Sequence, residues 1–225
     1  MRSKNRQLLP YPNDSYVQVP GRQGSILFPR ELADRHIELD CAFVGSSLAD
    51  IRTKARDIAA WLHTNDRANL SFDDEPGKNY KGKLSAAVDF DHIGKMGQFS
   101  LSFVCEPFAY GTEATTNFAN DSATVNNAGT CPAPAIIEAT FTGAATEFKV
   151  TLGTEYIRVV HGFVLNDTLK IDTGTGAVLI NGTRAMDKLD WQNSIFFEFA
   201  TGNNTLSITP SGICTATVKH TPRWL

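Results

Sequence analysis

The sequence predicts a mostly β protein: an α+β first half with a single helix, followed by a β-sandwich. Three observations carry this. Apolar and polar residues alternate with period two over several short segments. Only one stretch repeats its apolar residues at helical spacing. The second half is cut at short intervals by Gly and Asn turns and has no helical pattern.

The first half opens on an extended region with a Gly-rich turn, Gly21-Arg-Gln-Gly24-Ser25. This stretch lacks the Gly-Lys-Ser/Thr ending of a phosphate loop and leads into no helix, so it reads as a turn between extended segments. Next, Ile37, Leu39, Cys41 and Phe43 alternate with Glu38, Asp40 and Ala42, the pattern of a half-buried strand. The helix is expected over 47–63. Leu48, Ile51, Ala55, Ile58 and Leu62 fall on one face, Ser47 and Asp50 form a capping pair, and Trp61 is expected in the core. A long hairpin is expected from Tyr80 to Cys105. Its arms are the Tyr80–Phe90 and Phe99–Phe103 alternations, and Gly94-Lys-Met-Gly97 is its turn. Asp73-Asp-Glu-Pro-Gly77 reads as a further turn.

The expected domains are 1–110, a linker at 111–134 rich in Thr, Asn, Ala and Pro, and a sandwich at 135–225. Seven strands are expected in the sandwich, starting near Phe148, Tyr156, Thr168, Ala177, Ile195, Thr205 and Cys214. Trp224 is expected to anchor the C-terminal tail by burial.

Composition excludes several function classes. The chain has 225 residues, 42% of them hydrophobic, enough for a real core. Its net charge of −3 and scattered basic residues do not form the stripe that phosphate neutralisation requires, so no nucleic-acid partner is expected. No apolar run reaches the 18 or so residues of a membrane helix. Met1–Pro10 has no apolar segment of signal-peptide length, so a Sec-type route is not expected. The six Asn-x-Ser/Thr triplets then reflect composition alone. Cys41, Cys105, Cys131 and Cys214 are far apart and are expected as reduced thiols.

No catalytic, cofactor or metal constellation is evident. The five histidines show no i, i+4 pair, and neither H-E-x-x-H nor G-x-S-x-G occurs. Asp73, Asp74 and Glu75 could serve as a carboxylate pair or a Ca²⁺ turn, but three acids before Pro-Gly more simply make a solvated turn. Trp191 stands beside Asp190, Gln192 and Asn193, a polar setting in which an indole can stack on a sugar ring; the plainer reading packs it at the sandwich rim. Asn181 and Arg184 join it as ligand-contact candidates by residue type only, beside His161.

The order of these segments resembles the distal tail (Dit) proteins of long-tailed phages of Gram-positive bacteria. The resemblance runs from Val19-Pro-Gly-Arg-Gln-Gly-Ser-Ile26, through Asp50-Ile-Arg, Ile58-Ala-Ala-Trp-Leu62 and Gly97-Gln-Phe-Ser-Leu-Ser-Phe103, to Cys105-Glu-Pro-Phe-Ala-Tyr110. It continues through Leu179-Ile-Asn-Gly182, Asp190-Trp191 and Phe197-Glu-Phe-Ala-Thr-Gly-Asn-Asn-Thr-Leu-Ser-Ile208 to Pro222-Arg-Trp-Leu225. The family implies a galectin-like sandwich in the second half and a non-enzymatic hub without cofactors. It implies a homo-hexameric ring whose contacts lie in the first half. The ring's partners would be the tail tube protein, a tail-associated tip protein and a receptor-binding protein. The location implied is the virion tail tip, after assembly in the bacterial host cytoplasm. A second function, recognition of cell-wall sugars by the sandwich, is carried as the alternative. Relatives usually begin with one or two further strands before the Gly21 turn, so the ring-forming sheet is expected to be incomplete here.

Overall fold

The computed structural model describes residues 2–225, which divide into two units, residues 2–109 with Leu225 and residues 110–224. In the first unit, β1 (Arg2–Arg6) leads into a projecting ladder made of β2 (Pro12–Asn13), β3 (Tyr16–Gln18), β4 (Ser25–Leu27) and β5 (Glu31–Leu32). Then come β6 (Arg35–Val44), α1 (Leu48–Leu62), β7 (Ala68–Ser71), β8 (Asn79–Leu84), β9 (Phe90–Ile93) and the long β10 (Met96–Tyr110). The sheet order is β1-β6-β10-β8-β7, with β9 also on β10. Three strands thus precede the Gly21 turn. β1 pairs antiparallel with β6, Arg6 opposite Ile37, where the sequence suggested that strands were missing.

The alternation in β6 works as expected. Ile37, Leu39 and Cys41 are buried, while His36, Asp40 and Ala42 are exposed. Opposite them, Leu101, Phe103 and Cys105 of β10 complete the core face. Gly97 lies opposite Phe43, and a Cβ there would meet the Phe43 and Phe90 rings at 2.7–2.9 Å, so the strand needs a glycine at that point.

Two expectations for this unit need correction. The Tyr80–Phe90 alternation is not one strand: β8 stops at Leu84, residues 85–89 are irregular, and β9 begins at Phe90. Ser85 bonds through both N and Oγ to Ser102 O, and the chain then leaves the ladder. Trp61 is 71% exposed, because it lies at the border of the helix stripe and Ile51 is the only helix residue fully buried. The capping pair also differs in detail. Ser47 Oγ accepts from Asp50 N at 3.2 Å, but the Asp50 carboxylate accepts from Ser46 N and Oγ.

The second unit contains β11 (Ala114–Asn117), β12 (Ser122–Asn127), β13 (Ala135–Phe141), β14 (Ala145–Leu152), β15 (Glu155–Phe163), β16 (Thr168–Asp172), β17 (Ala177–Ile180) and β18 (Thr183–Arg184). A 3₁₀ turn at Met186–Lys188, β19 (Gly202–Thr209), β20 (Cys214–His220) and β21 (Arg223–Trp224) follow. Two sheets, β11-β20-β13-β16-β17-β18 and β12-β19-β14-β15, face one another over a shared core. Ile137, Ile171 and Val218 enter it from one side, and Val150, Val159 and Leu206 from the other. Phe141 and Phe163 stack with ring centroids 3.9 Å apart.

Residues 111–134 are not a linker: they supply β11 and β12, one edge strand to each sheet. Small and polar side chains hid them from the pattern. Ala123, Val125 and Asn127 point into the core, and Asn127 is satisfied there by Cys131 O and Phe199 O at 2.9 and 3.0 Å. Conversely, Ile195–Phe199 is not a strand. It buries Phe197 and Phe199 but makes only an isolated bridge, Ala133 to Phe199. All four cysteines are free. Trp224 is half-buried against Gly111, where any Cβ would strike its ring.

Candidate functional site

The most unusual surface lies between β1 and β6. Residues 8–33 form an antiparallel arm in which β2 pairs with β5 and β3 with β4. Further backbone bonds, Ala33 N to Tyr11 O and Phe28 N to Ser15 O, bridge the rungs. Arg30 clasps Asp14 with two bonds of 2.8 and 3.0 Å. The tip is the turn Val19-Pro20-Gly21-Arg22, closed by Arg22 N to Val19 O, with Gly21 at φ 83°. Pro at the second position and a left-handed Gly at the third are what a type II turn demands.

This arm has no core. Pro10 is its only buried residue. Leu8, Leu9, Tyr11, Tyr16, Val17, Val19, Ile26, Leu27 and Phe28 are all exposed, Leu8 to 90%. An isolated two-stranded ladder is marginal in water. Its apolar side chains stand on both faces, the pair Tyr16 and Leu27 on one and the pair Val17 and Ile26 on the other.

The root of the arm is built differently. Gln7 exchanges bonds with His36, N to O at 3.5 Å and Oε1 from His36 N at 3.0 Å. The Arg35 guanidinium is buried below them. Its Nε donates to Pro107 O and its Nη1 to Gln7 O. It sits 5.5 Å from the centroid of the buried Tyr80 ring. Burial, together with the hydrogen bond to Glu75, pushes the Tyr80 phenol up to about 12, so the ring stays neutral. Glu75 and Asp74 are also paired with Arg6. The acidic turn therefore fastens the outer part of the sheet to β1. Among the described residues no cluster of metal-ligating side chains occurs.

A second unpartnered surface in this unit is an apolar groove of about 540 Å³ beneath α1. Ile58 and Leu62 of the helix face Phe43, Leu84, Phe90 and Phe99 across it.

In the second unit, Trp191 is 65% exposed, not packed at the rim. Its indole N–H donates to Met186 O at 3.0 Å, which fixes the ring. Beside it Asp190 accepts from Asn193 and from Arg158, which also pairs with Glu147. Asn181 is structural: its Oδ1 accepts from Thr168 N, and its Nδ2 donates to Asp167 at 2.8 Å. Arg184 lies exposed on β18. Sequence reading missed the arm, because only the folded chain shows that its apolar residues are covered by nothing.

Comparisons with known proteins cover both units. Residues 1–105 match the family model of a phage tail protein RIFT-related domain, and residues 128–224 match that of a Siphovirus-type tail component C-terminal domain. The chain is 29% identical to the distal tail protein of Bacillus phage SPP1, over 77% of this chain and 73% of that protein. The crystal structure of SPP1 Dit, described as a hub of the adsorption apparatus in phages infecting Gram-positive bacteria, superposes with a TM-score of 0.81. That match covers 100% of this chain and 92% of the other at 23% identity, and it shows the shared fold. With both units matched in order, the chain belongs to the distal tail protein (Dit) family of long-tailed bacteriophages of Gram-positive bacteria.

Proposed function

We propose that this tail protein forms a homo-hexameric ring at the tail tip, a hub between the tail tube and the tail-tip and receptor-binding proteins. The first unit carries the ring contacts, and the second is the galectin-like sandwich. The observation that supports this is the arm. Its nine exposed large apolar side chains offer on the order of 900 Å² summed over both faces of the ladder, of the same order as the roughly 800 Å² that each partner contributes to a stable interface. Arm and groove are different surfaces of one unit. A contact that joins unlike surfaces is heterologous, and it ends in a ring when the rotation closes. Assembly in the host cytoplasm, before the hub joins the virion tail, fits the four free thiols. Replacing residues 11–33 by a short Gly-Ser loop tests the reading: the expected product is a folded monomer. Rings that survive the deletion would refute a role for the arm.

One observation favours the alternative, sugar recognition: a fixed, exposed Trp191 with polar neighbours. Asn181 no longer supports it, since its amide is spent on the turn. A cell-wall glycan array, read with the parent and W191A, decides this reading; signal lost in W191A supports it, and silence from the parent at high concentration removes it.

A further inference from the structure

We infer that Arg35 is a positioning residue for assembly: it sets the direction in which the arm leaves the sheet. The inference rests on the ring reading above and adds how the contact angle is fixed. Both roots of the arm converge on this side chain. Arg35 is itself the return root, opposite Cys105 of β10. Its Nη1 reaches the outgoing root at Gln7 O at 2.9 Å, and its Nε reaches Pro107 O on β10 at 3.1 Å. One planar guanidinium thus joins three strands, which a point donor such as Lys cannot do.

The cost of this arrangement identifies its purpose. Arg35 is 4% exposed, makes no ion pair among the described residues, and leaves Nη2 without a partner. A buried cation without a counter-charge is poor for stability, and an apolar residue would fill the space more cheaply. What the guanidinium supplies is a rigid joint at the base of an arm that has no packing of its own. The arm is a lever of roughly 30 Å from Tyr11 to Gly21, so a swing of about 10° moves its tip about 5 Å, a whole strand spacing. The same error accumulates to about 60° round six copies, enough to leave a ring open.

The test uses the full chain carrying R35M, which fills the site without charge or donors, and R35K, which keeps the charge alone. Circular dichroism and melting show that the variants fold. Amide exchange at Ala33 and His36, whose N–H groups bond Tyr11 O and Gln7 Oε1, reads the joint directly. Counts of closed rings by mass photometry read its consequence. In both variants the expected result is exchange faster by about tenfold at these two amides and closed rings replaced by open or smaller species. Unchanged exchange in folded R35M overturns the inference, and so do closed rings at the parent yield. A parent chain that forms no ring sinks the ring reading instead; the exchange result then decides alone whether Arg35 holds the arm.

Discussion

Asp14 and Arg30 face each other across the arm, and both oxygens of the carboxylate are taken by the guanidinium. This is the only side-chain ion pair within residues 8–33 among the described residues, and it lies on the solvent side. The fixed bidentate geometry matters more than the energy, because exposed pairs contribute little to stability. D14N is therefore expected to leave the melting temperature of the chain unchanged. Exchange of the Phe28 amide, which bonds Ser15 O beside the pair, should become faster. A drop of several degrees in melting temperature would show that the arm is part of the core.

The helix over the groove depends on its first turn. Ser47 caps the Asp50 amide, and Asp50 in turn is held well below its usual range, chiefly by the Ser46 backbone N–H. S47A removes the cap and should cost about 1 kcal/mol in urea denaturation. A loss below a tenth of that would mean that packing, not capping, holds the helix end.

The second unit contains a buried titratable group. His220 is 4% exposed, its ring packs edge-to-face with Phe199, and both ring nitrogens are buried. Burial lowers its pKa, with only partial opposition from the Asn126 backbone. The neutral form belongs to the folded state, so the unfolded chain binds the proton more readily. Stability is then full above the unfolded value of about 6.5, falls as pH drops below it, and levels off once the folded value is passed. Thermal melts at pH 8 and pH 5 compared between parent and H220F should show this loss only in the parent. An equal loss in both would place the titrating group elsewhere.

Gly129 marks a close approach of two backbone segments in the same unit. Its own N–H is held by Asn127 Oδ1 at 3.1 Å, and a Cβ there would lie on the Arg223 backbone. Because backbone cannot step aside as a side chain does, G129A should destabilise the sandwich by roughly 1–3 kcal/mol or more. A neutral result in chemical denaturation would show that Arg223 moves freely.

These sites show what the sequence could and could not reveal. The strand Ile37–Phe43 was legible because one face is core and the other is water, which is what alternation records. The helix was legible from its stripe, but not the fate of Trp61, since a stripe says nothing about how far the sheet beneath it extends. β11 was hidden because its inward residues are Ala114 and Thr116, and β12 because its inward residues are Ala123, Val125 and Asn127; a buried Asn is intelligible only once Cys131 and Phe199 supply its partners. The turn at Gly21 was legible from Pro-Gly. The arm was not, since Val17, Ile26 and Phe28 look like core residues until the fold leaves them in solvent.

The most direct test of the account is negative-stain microscopy of the purified chain at micromolar concentration. The account predicts closed rings with six-fold symmetry for the parent and none when residues 11–33 are removed. A parent chain that stays monomeric, or one whose rings persist without the arm, contradicts it.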